Sequence, residues 1–197
     1  MKHVIAAARY AGIDLDQGQL HRLERYGEWL ESEGTTGGGI GPDEAVRIER
    51  RHLADSLLFA SQFPHDCAEV LDVGSGVGLP GIPLAVVLPG TSFTLIDRSG
   101  RRVDLLRRAI RILDLGNCQV VQGEIEAWRR TAPVLVARAS LPPDEMRPVA
   151  QRLVRPGGVA VLAGSWRERP HYTGWTTIEI PSDVLDQPVW LLIMRRQ

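Results

Sequence analysis

Val70-Leu71-Asp72-Val73-Gly74-Ser75-Gly76-Val77-Gly78-Leu79-Pro80-Gly81-Ile82-Pro83-Leu84-Ala85 decides how this chain reads. Val70 to Val73 makes a short buried strand, Gly74 to Gly78 a glycine-rich turn, and the residues after it the start of a helix. Three glycines at alternate positions leave backbone that another molecule can approach closely, because no Cβ stands in the way. The helix that follows aims its first N–H groups at the same spot, which suits an anionic group. A glycine-rich turn without a ligand is the plain alternative. Dense glycine between an apolar strand and an apolar helix counts against it.

Two ligand classes compete for such a loop. Gly76, Gly78 and Gly81 satisfy G-x-G-x-x-G, the dinucleotide fingerprint. The turn, however, begins at Gly74, so that fingerprint would start late. Pro80 and Pro83 fit the first turn of a helix but not its middle. Asp72 would meet a pyrophosphate, and like charges repel. An acid followed by three alternate glycines directly after a strand is similar to the pattern of class I S-adenosylmethionine (SAM) methyltransferases. SAM has no phosphates; it carries an ammonium and a sulfonium, which a carboxylate attracts.

Outward from this stretch the pattern alternates. Strands are expected at 70–73, 92–97, 118–122, 134–137 and 159–162. Helices are expected at 80–88, 101–115 and 145–153, with Gly116-Asn117 ending the second of them and Pro156-Gly157-Gly158 turning into the fifth strand. Residues 176–180 and 189–194 form a closing, hairpin-like pair. Alternation of this kind implies a doubly wound, mostly parallel α/β sheet, with ligands beyond the carboxyl ends of the strands where the order reverses. Ahead of it lie helices at 3–11 and 16–31, the second capped by Asp14 or Asp16. A glycine-rich stretch, 34–42, is either a linker or a mobile lid. Another helix runs from Pro42 or Asp43 to Leu58. Asp55 and Ser56 sit in an increasingly apolar run, so they want partners if buried. His52 reads as a packed or hydrogen-bonded histidine. The expected division is an N-terminal helical extension with its loop over 1–41 and a SAM-binding unit over 42–197.

The 197 residues suffice for one full core plus an appendage, and 44% hydrophobic with 24% charged residues is ordinary for a globular protein. The net charge of −1 excludes a global basic field. Lys2 is the only lysine; all other basic side chains besides histidine are arginine. Cys67 and Cys118 lack metal-ligand spacing and read as reduced thiols, and no metal site is expected. Neither a signal peptide nor an apolar span of about 20 residues is present, so a cytoplasmic monomer away from membranes is expected.

Several residues could carry chemistry. Gly74, Gly76 and Gly78 would pass backbone along the methionine part of SAM, with Leu79 walling the pocket. Asp97 ends the second strand about 20 residues past the glycines, where an acid takes ribose hydroxyls. Ile125 and Glu126 follow the third strand, where an adenine ring and its edge would lie. Arg138 ends the fourth strand and faces the cleft. It could hold a phosphate or a base, pair with a carboxylate of the site, or form a purely structural ion pair. Arg98, Arg101, Arg102, Arg107, Arg108 and Arg111 oppose only Asp104, either as an RNA-binding face or as a solvated helix surface. No Ser/His/Asp set, metal cluster or CxxC is present. Methyl transfer to a neutral lone pair such as guanine N7 needs none, because alignment and desolvation carry the rate.

From about residue 11 to the C-terminus the chain resembles the bacterial 16S ribosomal RNA guanine-N7 methyltransferases, the glucose-inhibited division protein B family. Arg51-His52-Leu53-Ala54-Asp55-Ser56-Leu57, Leu71 to Ala85, Leu95-Ile96-Asp97 with Gly100-Arg101-Arg102-Val103, and Ala137-Arg138-Ala139 carry the likeness. The resemblance implies SAM bound near Gly74, Leu79, Ile125, Glu126 and Arg138; the reading of the residues themselves adds Asp72, Gly76, Gly78 and Asp97 to that site, and Arg138 is the catalytic candidate. It implies a guanine of 16S rRNA, in the free RNA or the small ribosomal subunit, as substrate. The chain departs from the family at Gly38-Gly39-Ile40 (usually Asn-Leu-Thr), at a missing Trp-Asn pair ahead of it, at Ala163 (usually lysine), at Arg98 (usually serine) and at Glu124 (often arginine). A methyltransferase acting on another RNA or a small molecule, or a non-catalytic SAM- or RNA-binding relative, are the alternatives.

Overall fold

A computed structural model describes residues 1–36, 40, 41, 44 and 47–197. The Gly38-Gly39 departure and the helix start at Pro42 or Asp43 lie outside these. Two helices open the chain, α1 (Lys2–Tyr10) and α2 (Gln17–Trp29). Asp16 caps α2: its Oδ1 accepts from the Gln19 amide at 2.7 Å, while Gln19 Oε1 accepts from the Asp16 amide at 3.0 Å. This reciprocal box satisfies two backbone donors that a helix start otherwise leaves open.

The helix expected up to Leu58 is broken into three pieces over its described part. Residues 48–54 are π-helical, α3 (Asp55–Leu57) is a single α turn, and 58–62 tightens to 3₁₀. The Arg51 carbonyl accepts from Arg138 Nη2 at 2.6 Å. A guanidinium on that oxygen competes with the amide four residues on, and a widened turn relieves the competition.

The remaining elements alternate: β1 (Glu69–Val73), α4 (Gly81–Val87), β2 (Ser92–Asp97), α5 (Gly100–Leu113), β3 (Cys118–Gln122), β4 (Ala132–Ala137), α6 (Pro143–Leu153), β5 (Val154–Ala163), β6 (Thr176–Ile180), α7 (Ser182–Leu185) and β7 (Val189–Arg195). Helix α5 closes on Asp114 in the left-handed conformation, φ 52°, and not on Gly116-Asn117. Asn117 instead reaches the carbonyls of Ala85 and Thr91 at 3.0 Å and Leu88 at 3.3 Å. Pro156 to Gly158 lies within β5, where the pairing with β4 slips between Ala132 and Val134.

Seven strands form one sheet in the order β3-β2-β1-β4-β5-β7-β6. Five are parallel. β7 enters antiparallel between β5 and β6, which gives the closing pair expected from the tail. Successive strand residues face opposite sides. On one side Val70, Val134 and Val159 pack with Leu23 and Tyr26 of α2 and Ile82 of α4, so the N-terminal helices share the sheet's core. On the other, Leu71, Leu135 and Ala160 pack with Met146, Ala150 and Leu153 of α6. Chain order reverses between β1 and β4, and at such a switch point the loops diverge and leave a crevice at the carboxyl ends.

Candidate active site

The loop after β1 is built as a rigid cradle. The Gly74 and Ser75 amides donate to the Ile96 carbonyl at 2.8 and 3.0 Å. The Gly76 amide donates to Asp97 Oδ2 at 2.9 Å, and the Ser99 amide to Asp97 Oδ1 at 2.9 Å. Gly74, Gly76 and Gly78 all have positive φ, which residues with a Cβ rarely adopt. From below, the buried Tyr26 hydroxyl of α2 donates to the Val77 carbonyl at 2.7 Å.

Asp72 has a different place from the one expected. Its carboxylate lies in the core under the loop, where Oδ2 accepts from the Gly81 amide at the start of α4 at 3.0 Å. A methyl group at Gly81 would run into that oxygen, so glycine is required there. Burial, with the charge of Asp97 adding to it, pushes the Asp72 carboxyl up to about 7. The carboxylate supports the cradle and does not line the cleft.

Two cavities open at the switch point. The first, about 200 Å³, is lined by Gly74, Asp97, Ile125 and Glu126 together with Val73, Ile96, Arg98 and Arg102. The second, about 400 Å³, lies beyond β4 and β5 and is lined by Arg51, Asp55, Arg138, Ala163, Trp166 and Tyr172 among others. Ala139, Ser140 and Leu141 border both. Ala139 is in the left-handed region, φ 50°, a strained conformation of the kind that marks functional turns.

Of the residues expected to bind a cofactor, Gly74, Asp97, Ile125 and Glu126 therefore meet in one cavity. Gly76 holds Asp97 in place, Gly78 packs against Ile82 and Tyr26, and Leu79 is buried in the core. Arg138 borders the second cavity. Its Nη1 lies 3.1 Å from Asp55 Oδ2, and its Nη2 donates to the Arg51 carbonyl and to His52 Nδ1, the latter at 3.1 Å. Arg138 thus pairs with Asp55, a carboxylate that lines the same cavity. His52 accepts from it as a neutral ring, its pKa pushed down to about 3 by burial and by the Arg138 and Arg51 charges. Asp55 also accepts from Trp166 Nε1 at 3.2 Å. Burial holds its carboxyl above the ordinary value despite Arg138.

Four arginines of α5 make surface contacts within the chain. Arg108 pairs with Glu33 at 2.8 Å, Arg107 with Asp104 at 3.5 Å and Arg102 with Asp97 at 3.7 Å, while Arg101 donates to the Thr36 carbonyl. Arg101 and Arg108 tie the N-terminal piece to α5, and all of these side chains stay exposed. Tyr26, Ser140, Trp166 and Tyr172 carried no signal in the sequence. Asp55 did, as a polar residue in an apolar run.

The cleft suits a SAM-like group. Asp97 uses one lone pair of each oxygen on the backbone and keeps others for sugar hydroxyls. Ser140 Oγ, between the cavities, is buried and has no hydrogen-bond partner among the described residues, an orphan that a polar ligand would satisfy. A methyl group at Gly74 would collide with the Ser140 side chain. Gly74→Ala is therefore expected to cost about 1–2 kcal/mol for the backbone conformation, with further loss from overpacking. Urea unfolding measures the first effect, and calorimetry with SAM the accompanying loss of affinity.

The family model for GidB, described as rRNA small subunit methyltransferase G, matches residues 19–171. Among curated relatives, ribosomal RNA small subunit methyltransferase G of Acidothermus cellulolyticus is 40% identical over 147 residues, covering 73% of this chain and 66% of that protein. Its namesake in Salinispora tropica is 34% identical over 189 residues, covering 82% of this chain and 78% of that protein. The chain spans about two thirds of the first of these relatives. Among solved structures, the S-adenosylmethionine-dependent methyltransferase SibL superposes with a TM-score of 0.62 at 16% identity, over 78% of this chain and 57% of that one. The [4+2]-cyclase SpnF superposes with a TM-score of 0.57 at 16% identity, over 73% and 80%. Such distant likeness shows the class I methyltransferase fold; a cyclase on the same fold shows why function has to be argued from the site.

Proposed function

We propose, since the chain belongs to the GidB family of small-subunit rRNA methyltransferases, that it moves a methyl group from SAM to N7 of a guanine in 16S rRNA. The observation that carries this reading is the pair of cavities at the switch point, one with an acid suited to a ribose and the other bordered by aromatic side chains, meeting at Ala139–Leu141. SAM, when bound, supplies a methyl group on a sulfonium, electrophilic enough for a neutral nitrogen. In this reading Asp97 holds the sugar, Ile125 and Glu126 the adenine, and Gly74 with Gly76 the methionine part. Asp72, Gly78 and Leu79 shape the cradle from behind. Arg138 keeps the Arg51–Asp55 segment and the wall of the second cavity in place, and so acts as a positioning residue. Transfer to N7 would use the base's own lone pair, so no group of this chain would have to take up a proton. A general base is not required, and the chain's part is to align and desolvate the reactants.

A cytoplasmic monomer working on rRNA or on the small subunit belongs to the same proposal, as does the division at residue 41. No helix among the described residues is long and apolar enough to cross a membrane. The test is incubation of the protein with methyl-labelled SAM and small subunits from cells lacking the gene, followed by mass spectrometry of the 16S rRNA. One 7-methylguanosine per 16S molecule is the expected result, and unlabelled RNA overturns the reading. A second reading, transfer to another RNA, is favoured by Ala163, which borders the second cavity where the resemblance expects lysine. Labelling confined to RNA other than 16S would select it.

A further inference from the structure

The wall of the second cavity is assembled in a way that the reaction described above leaves unexplained. The Arg51 guanidinium lies over the Trp166 ring, 4.7 Å from its centroid. The indole is anchored by its own N–H on Asp55, whose other oxygen is held by Arg138. Asp55 is 3% exposed, so this anchor is shielded from water. Tyr172 adds a second aromatic side chain to the lining. A planar cation layered on an immobilised indole is a surface for another flat ring, since bases stack on aromatic side chains and on arginine planes alike. At about 400 Å³ the cavity falls in the range of small-ligand sites. Enzymes that modify a base inside a folded strand must first swing it out into such a pocket.

We propose that the Arg51–Trp166 pair is the stacking wall for the acceptor base, turned out of its RNA and held in this cavity beside the donor. The proposal rests on the rRNA methyltransferase reading. Asp55 and Arg138 position the wall, and Trp166 and Arg51 touch the base. The exposed Arg167 follows Trp166 directly, and Arg169 comes after the exposed Glu168; the two arginines would be available to backbone phosphates of the same strand.

The test has two arms. In the first, the indole N–H signals of the protein with S-adenosylhomocysteine are followed by NMR while guanosine 5′-monophosphate is added. The Trp166 signal, assigned by its loss in Trp166→Phe, is expected to shift while those of Trp29 and Trp190 stay in place. An unmoved Trp166 signal overturns the proposal. In the second arm, Trp166→Ala and Arg51→Gln are expected to lower kcat/KM for 16S rRNA roughly ten- to hundredfold, with SAM affinity by calorimetry kept, and Trp166→Phe to recover most of the loss. Variants that turn over like the parent, or that lose SAM binding in step with activity, overturn it. If the parent shows the Trp166 shift but leaves 16S rRNA unmethylated, the cavity assignment stands and the rRNA reading falls. If the parent methylates while both variants do so equally well, the reverse holds.

Discussion

Arg138→Ala is expected to destabilise the protein by about 3–5 kcal/mol, the cost of removing one partner from a buried ion pair. Arg138 is the junction between β4 and the segment ahead of the sheet: it pairs with the buried Asp55 and donates to Arg51 and His52. Its removal leaves the Asp55 carboxylate buried with, among the described residues, only the Trp166 indole as donor, and leaves the Arg51 carbonyl and His52 Nδ1 without their cation. Asp55 answers by taking up a proton more readily, since Arg138 is the charge that counters its burial. The loss should therefore be smaller in acid than at neutral pH. Asp55→Asn in the Arg138→Ala background should recover part of it, as groups in direct contact do not add independently. Urea unfolding at two pH values measures both effects. A variant as stable as the parent would mean that the ion pair contributes nothing. Arg138→Lys keeps the charge without the planar fork, and should hold Asp55 while releasing the Arg51 carbonyl.

A comparable effect should come from Asp72. In an unfolded chain its carboxyl titrates near 3.8, and in the folded protein near 7. Below the lower value both states are protonated and the buried group adds no penalty. Between the two, the unfolded state ionises while the folded state keeps its proton. The folded state then binds more protons, and its stability falls as pH rises, by about 1.4 kcal/mol per unit over that window. The sum is a few kcal/mol, fully lost above pH 7. His52 acts in the opposite sense. Its folded value of about 3 lies below the ordinary 6.5, so its contribution is lost as pH falls toward 3. The two slopes oppose each other across nearly the same range, and the parent's own profile will be shallow. The difference between parent and Asp72→Asn isolates the carboxylate: the amide keeps an acceptor for the Gly81 N–H, and the variant should gain stability on the parent from pH 4 to 7. A constant difference across that range would show that Asp72 does not titrate there.

Both effects sit at residues that the sequence singles out and whose surroundings only the fold supplies. Asp72 was expected beside a positively charged ligand. The pleat turns the residue after Leu71 to the opposite face of the sheet, toward α2 and α4, and there the nearest donor is the first amide of α4. Arg138 was expected at the edge of a parallel strand, facing the cleft, with its partner open. The partner is 83 positions away in sequence, on a single α turn directly after the π-helical stretch 48–54, an arrangement no periodicity announces. Asp55 was recognisable as a polar residue needing company, because a carboxylate in an apolar run has to be paired or protonated. Which group would pair with it was not recognisable. Trp166 and Tyr172 lie on the connection between β5 and β6, where loop residues have no repeating pattern to mark them.

The amino-acid order alone determined the alternation of strands and helices, the mostly parallel sheet, the glycine cradle after the first strand and the family likeness. These depend on properties carried by a residue and its near neighbours: apolar period, the φ values open to glycine, the start of a helix. Only the tertiary structure decided that Asp97, Ile125, Glu126 and Gly74 share one cavity, that Asp72 stands behind its wall while Arg138 borders the neighbouring one, and that a cation-capped indole lines that second space. Those outcomes depend on which strands lie side by side and which face each side chain takes. They are settled by packing and by the pairing of buried charges over long sequence distances, and no local window of the chain contains that information.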